Sequence, residues 1–234
     1  MNIKPLLPVL ALALGACVGE KPDPRSPAQT QAERDVNERL EEAAGLLHDV
    51  SKKVPSSIAV QAECAVIMPA VVRGGLILGA RYGRGFAVCQ TDDGVSAPAP
   101  VTLSGGSAGL QVGLESVDIL MVFTGDAGKK ALLRGRFALG ADVSVAAGPL
   151  GTGTEAKTDS GFHASVLTYS RSKGLFAGAQ LSGAVLDPDE KATVALYGWP
   201  QEFSKILSGE VKTPAAAKDF VSAIEDAIAA ATGR

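Results

Sequence analysis

Apolar residues recur at alternating spacings of four and three from Val36 through Leu40, Ala43, Leu47, Val50 and Val54. This places them on one face of a helix that begins near Gln31 and stops before Pro55. The other face carries Glu33, Asp35, Glu38, Glu41, Glu42 and Asp49. Helices that lie in a membrane surface carry Lys and Arg beside the headgroups, so this acidic one is expected to pack on a domain. A second stripe, Ala217, Phe220, Val221, Ile224, Ala227 and Ile228, predicts a terminal helix with Thr213 as N-cap and Pro214 at its first position.

Between Cys64 and about Tyr197 the helical period is lost. Short apolar runs (CAVIMP, GFAVCQ, PVTLSG, GLQVGLE, VDILMVF, FALGADVSVAAG, HASVLTYS, LFAGAQLSGAVL) are separated by Gly, Pro, Asp and Ser. They predict about eight short strands in an antiparallel sandwich or barrel-like core. Leu110, Val112 and Leu114 alternate with Gln111 and Gly113, as in a strand with one buried face. The stretch GKKALLRGR, Gly128 to Arg136, breaks the pattern and reads as a short amphipathic helix. The fold class is therefore α+β, a β-rich core with N- and C-terminal amphipathic helices.

The apolar run Leu6 to Leu14 follows Lys4 and is too short to span a bilayer, so it reads as a secretory leader. The run Leu14-Gly15-Ala16-Cys17 resembles the bacterial lipobox, which implies cleavage before Cys17 and acylation of that cysteine with palmitate-like chains. Each buried methylene contributes about 0.8 kcal/mol, so two or three chains make a lasting anchor. Val18 in place of aspartate implies sorting to the outer membrane, facing the periplasm. The proline-rich stretch from Val18 to Thr30 reads as an extended tether. The expected organisation is a leader over 1–16, a lipidated cysteine and tether over 17–30, and one domain over 31–232.

Composition narrows the function classes. The net charge is -3, and losing Lys4 with the leader makes it more negative, so nothing global attracts nucleic acid. Gly105-Gly106-Ser107-Ala108-Gly109 matches the GxSxG pattern of serine hydrolases, but a strand-like run follows where that site needs a helix. GPLGTGTE, Gly148 to Glu155, lacks the last glycine of a dinucleotide fingerprint and the Lys-Ser/Thr of a phosphate loop. His48 and His163 have no partner at ligand spacing, so no metal, cofactor or catalytic residue is expected. Cys64 and Cys89 form either a disulfide or two buried thiols, with export favouring oxidation. Basic residues gather at Arg73, at Arg81 and Arg84, at Lys129, Lys130, Arg134 and Arg136, and at Arg171 and Lys173. Brought to one edge, they would form a local anion site on an acidic protein.

As an ordered series, the motifs resemble the SYLF domain, a lipid-binding module of bacterial lipoproteins and eukaryotic endocytic proteins. The matching residues are Pro69 with Arg73-Gly74-Gly75, Gly79-Ala80-Arg81-Tyr82-Gly83-Arg84-Gly85, Asp93-Gly94 with Ser96-Ala97-Pro98, and Ser104-Gly105-Gly106-Ser107 with Gly109 to Gly113. Asp118, Gly140-Ala141-Asp142, Ala146 to Pro149, Tyr169 to Gly178, and Tyr197-Gly198 follow in order. The chain departs from the family at Val95, where tryptophan is common, and at Cys64, where glycine is usual. The resemblance implies phospholipid binding without catalysis, with the basic residues above as headgroup contacts. Actin, the partner in a yeast branch, is not expected for an exported chain. The rival expectation is a lipoprotein that binds an envelope protein, which an exposed uncharged groove would favour.

Overall fold

The computed structural model describes residues 26–75, 78–108, 113–148, 164–170 and 181–233. Ser26 opens the first helix: its hydroxyl accepts a hydrogen bond from the Gln29 backbone N at 3.2 Å, and the Gln29 side chain accepts one from Ser26 N at 2.8 Å. This capping box, with Pro27 at the first position, starts α1 (Pro27–Val50) four residues before the expected boundary, inside the stretch read as tether. α1 buries Val36, Leu40, Ala43, Leu47 and Val50, and Leu46 widens the stripe. Val54 lies beyond the helix, after a 3-10 turn at Ser51–Lys53 that leads to α2 (Ser56–Ala59).

The β region differs from the expected short strands. β1 (Ala62–Gly75) and β2 (Leu78–Thr91) are 14 residues each, and they are followed by β3 (Gly94–Val95), β4 (Ala99–Ala108) and β5 (Gly113–Thr124). Two predicted runs merge into β5. The long β2 passes through Gly83 and Gly85, which read as punctuation but lie mid-strand. A Cβ at Gly83 would come 2.7 Å from Val71 Cγ2, and one at Gly85 would overlap the Ile67 carbonyl oxygen. These glycines let β1 and β2 bend against each other. The bend coincides with a bulge between Ile67 and Val72, where Ala70 has φ 54°.

After α3 (Gly125–Leu133) come β6 (Phe137–Ala138), β7 (Val145–Ala147), β8 (Val166–Ser170) and β9 (Val185–Pro188). The strand order is β6-β9-β4-β2-β1-β5-β8-β7, with β3 paired to β2. Most pairs are antiparallel, but β7 and β8 run parallel, so the sheet is mixed. β6 and β7 lie at opposite edges of this path. Eight strands laid flat would separate them by about 34 Å. Six residues, with a turn at Gly140 (φ 82°), join them, and the sheet must therefore curl. Phe123 of β5 meets Phe137 of β6 across the hollow, ring centroids 6.1 Å apart. The result is a half-barrel.

Residues alternate between the hollow and the outside of the curl. On β4, Val101 and Leu103 are buried while Ser104 is exposed. Phe86, on the outer face of β2, packs 5.5 Å from Phe220 of the terminal helix α6 (Lys218–Thr232). That helix starts later than expected. Pro214 is extended (ψ 152°) and leads into a 3-10 turn at Ala215–Ala217, so Thr213 lies a turn too early to cap α6. α4 (Glu190–Tyr197) and α5 (Phe203–Leu207) complete the described helices. α1 and α6 pack against each other over one half of the outer face. At the same end of the sheet Cys64 and Cys89, partners in the β1–β2 register, are joined in a disulfide on the face they share with Phe123, toward the hollow.

Candidate functional site

The half-barrel has two ends, set by the β1–β2 hairpin. Its tip, between Gly75 and Leu78, marks one end, and the Cys64–Cys89 disulfide marks the other. Arg73 is nine residues along β1 from Cys64, about 30 Å in an extended strand. The predicted basic residues are divided between these ends and are not gathered at one edge.

At the disulfide end, Lys129 Nζ lies 2.9 Å from Glu63 Oε2, and Lys130 forms a 3.6 Å pair with Asp126 one helical turn away. Arg134 is exposed just beyond α3, and Arg136 pairs with Asp187 of β9 at 3.0 Å. Such exposed pairs leave little net positive field. Arg84, on the outer face, donates to the Tyr82 hydroxyl at 2.8 Å and lies 3.5 Å from Asp189 Oδ2, the carboxylate that caps α4. Arg39 and Asp35 of α1 come alongside this group and interact electrostatically with Arg84. Burial, and then the like charge of Arg84, lower the pKa of Arg39. This outer cluster is not legible along the chain, because its members come from three distant segments.

Arg73 and Arg81 occupy the hairpin end and face each other in the β1–β2 register. Arg73 is paired with Glu115 of β5 at 3.1 Å. Arg81 is only 8% exposed. Its Nη2 donates to the Gly106 carbonyl at 2.8 Å and, at 3.4 Å, to that of Ser182, while Nε and Nη1 have no partner among the described residues. Its pKa is lowered by burial first and by the Arg73 charge second. Opposite Arg81 on β4 is Gly105, where no side chain blocks the guanidinium from reaching across the strand.

An open apolar groove lies at the disulfide end, between α6 and the sheet. Leu47, Val54, Val88, Val122, Ile224 and Ile228 line it, beside the disulfide, with Glu63 as the one charged lining residue. Val95 is also in the wall, so a small side chain stands where tryptophan would fill space. Sequence reasoning missed the groove, although it had marked Ala227 and Ile228 on the apolar stripe. These two are only partly buried and line this opening.

The other sequence candidates fall as follows. Cys17, Arg171, Lys173 and His163 lie outside the described residues, as does the segment from Pro149 onward to His163. Gly105, Gly106 and Ser107 are inside β4, with Ser107 opposite Gly79, and not at a strand-to-helix turn. His48 is exposed on α1, 3.3 Å from Asp49. Among the described residues no group of three or more His, Cys, Asp or Glu could hold a metal, and no helix is long and apolar enough to cross a membrane.

The comparisons with known proteins agree with this fold-level picture. The chain is 38% identical over 168 residues to the SH3 domain-containing protein PJ696.02 of Schizosaccharomyces pombe, covering 70% of this chain and 39% of that protein. It is 34% identical over 176 residues to LAS seventeen-binding protein 3 of Saccharomyces cerevisiae, 74% of this chain and 38% of that one. It is 31% identical over 176 residues to the human SH3 domain-containing YSC84-like protein 1, 74% of this chain and 51% of the relative. The chain thus spans about two fifths to one half of the length of these curated relatives, whose names describe binding or SH3-containing proteins and not enzymes. The profile of one family, described as "Ysc84: Las17-binding protein actin regulator", matches residues 104–227, and the chain belongs to this family, that of the SYLF domain.

Proposed function

We propose that the chain is a lipid-anchored protein of the cell envelope whose SYLF domain meets anionic phospholipid headgroups with the hairpin end of its half-barrel, without catalysis. The observation that carries this reading is the direction of α1. Leu47 lines the groove beside the disulfide, while Asp35 and Arg39 lie alongside Arg84 and Tyr82. The helix therefore runs toward the disulfide end and begins at the hairpin end, about 36 Å away. A chain anchored through Cys17 has nine residues before Ser26, at most about 30 Å, and presents Arg73 and Arg81 to the membrane. The anchor raises the local headgroup concentration, so a weak site suffices.

Two measurements test it. Metabolic labelling with an alkyne palmitate should mark the chain, and Cys17→Ala should abolish the label. The chain from Val18 onward should co-sediment with phosphatidylglycerol vesicles and not with phosphatidylcholine ones. Salt and charge reversal at Arg73 should weaken this binding, and charge reversal at Lys130 should leave it unchanged. Absence of sedimentation at low salt would remove headgroup recognition and leave the anchor alone.

A second reading rests on the apolar groove, with its single described charge at Glu63, and on the family description, which names a protein partner. In it the groove takes an apolar segment of an envelope protein. Ile228→Asp would then abolish the chain's activity in the cell while leaving vesicle binding intact.

A further inference from the structure

Trp199 is the only tryptophan of the chain, and 63% of its surface is open to solvent. A ring of that size ordinarily enters a core or an interface. Here the backbone holds it out. Gly198, at φ 82°, ends α4 in the left-handed region and turns the chain off the helix axis, and Pro200 restricts it on the other side. Tyr197 is fixed from within, its hydroxyl donating to the Pro98 carbonyl at 2.9 Å. The indole forms one wall of an open pocket, faced by Gln201 and by the segment 210–214. A Cβ at Gly209 would come 3.1 Å from Thr91 Cγ2, so this segment is packed on the disulfide end of β2. Ser208 Oγ donates to Glu210 Oε1 at 2.9 Å and orients that carboxylate.

From this geometry we infer that Trp199 and its pocket bind one uncharged pyranose unit of a cell-wall glycan built from N-acetylated amino sugars. The lining selects the ligand. Glu210 and Lys212 carry opposite charges that sum to zero, so the pocket does not favour an ion. A proline-rich peptide needs slots between open rings, and an extended one needs a free strand edge. Tyr197 is buried, which leaves a single open ring, and the pocket lies between loops and not on a strand. A pyranose meets both kinds of surface. Its axial C–H bonds are weakly positive and lie against the negative face of the indole. The hydroxyls at its rim exchange hydrogen bonds with the amide of Gln201, the hydroxyl of Thr213, the carboxylate of Glu210 and the ammonium of Lys212. An acetamido group adds an N–H and a C=O, for which Gln201 and Thr213 supply complementary partners. The source follows from orientation: with the hairpin end at the membrane, the disulfide end and this pocket point away from lipid, toward the wall. That choice of source rests on the envelope reading, while the chemistry of the pocket does not.

The test uses the chain from Val18 onward, which keeps every described residue. With one tryptophan in the chain, intrinsic emission reports on Trp199 alone. Tri-N-acetylchitotriose, maltotriose, a proline decapeptide and phosphatidylglycerol vesicles are titrated separately, and binding to purified peptidoglycan sacculi is read by sedimentation. Chitotriose should shift the emission to the blue and saturate with a Kd of about 1 mM, as suits one exposed platform. Maltotriose, axially linked and without acetamido groups, should shift it little, and the decapeptide not at all. Trp199→Ala should weaken sedimentation with sacculi about tenfold, and Trp199→Phe, which keeps a ring, by less. Gln201→Ala should weaken chitotriose binding about fivefold with Tm unchanged. Emission unmoved by chitotriose would overturn the site, as would sedimentation that Trp199→Ala retains. If Trp199→Ala fails to fold, Trp199→Phe and Gln201→Ala decide in its place. An equal response to maltotriose would overturn the choice of an amino sugar, and chitotriose binding without sedimentation would overturn the wall as its source. A response to the decapeptide and not to the sugar would replace the site with a peptide-docking surface. A response to vesicles alone would overturn both the site and the orientation at the hairpin end. Sugar binding without vesicle binding keeps the site and removes the headgroup reading. Vesicle sedimentation with emission unmoved by any probe does the reverse.

Discussion

Ala70 adopts φ 54°, a left-handed conformation that costs an alanine about 1 kcal/mol and suits glycine. It is held there because its N–H donates to Asp118 Oδ1 at 2.9 Å, from β5, so that the β1 bulge is tied to its neighbouring strand. Asp118 belongs to the motif series in the sequence, but an isolated aspartate between apolar residues says nothing about a bulge 48 residues earlier. Ala70→Gly relieves the strain while raising unfolded-state entropy, and should change stability by less than about 1 kcal/mol. Asp118→Ala should cost about 0.5–1.5 kcal/mol, because the exposed Ala70 N–H exchanges its carboxylate acceptor for water. Urea denaturation of the two variants checks both values. Arg81 is similar: the sequence marks it as basic, but burial and missing partners depend on Gly105, Gly106 and Ser182, which meet only in the fold.

At the level of elements, both amphipathic helices were readable because the 3.6-residue period is a local property: α1 buries its stripe as far as Val50, and α6 buries Phe220, Val221 and Ile224. Strand lengths were not readable. Gly83 and Gly85 look like breaks, yet they are the positions at which β1 crowds β2 too closely for a side chain. The β1–β2 hairpin also carries the disulfide, which closes a 25-residue separation. Closing a loop of that size contributes about 3 kcal/mol. Reduction, or the Cys64→Ala/Cys89→Ala variant, should therefore lower the unfolding free energy by about that amount, measured in urea with and without a reductant. The groove beside the disulfide would then lose part of its wall.

For the molecule as a whole, the sequence could suggest a barrel-like core but could not order its strands, since β9 inserts between β4 and β6 from more than 45 residues downstream of β6. The strand order also divides the described basic clusters between the two ends of the half-barrel, so the condition for one shared patch is not met among them. It places the only tryptophan usefully. Trp199 is 63% exposed and follows Tyr197, whose hydroxyl donates to the Pro98 carbonyl near the disulfide end of β4. With the hairpin end at the membrane, brominated phosphatidylglycerol vesicles should leave Trp199 fluorescence unquenched. A second tryptophan introduced as Val72→Trp, at an exposed position near Arg73, should be quenched. The opposite pattern would mean that the groove end meets the lipid.

The six residues joining β6 to β7 tie together two edges that are otherwise at opposite ends of the strand order. Neither edge strand can take its place until the strands between them are paired, and β9, which carries β6, is the last strand to be synthesised. Closure is therefore expected late, after the folding transition state. Contacts made only on closure mainly govern how slowly the native state opens. Phe137→Ala removes the ring that meets Phe123 across the hollow, and should raise the unfolding rate several-hundredfold while changing the folding rate little in stopped-flow chevrons. The domain's endurance would then be set by a short segment that has little part in assembling it.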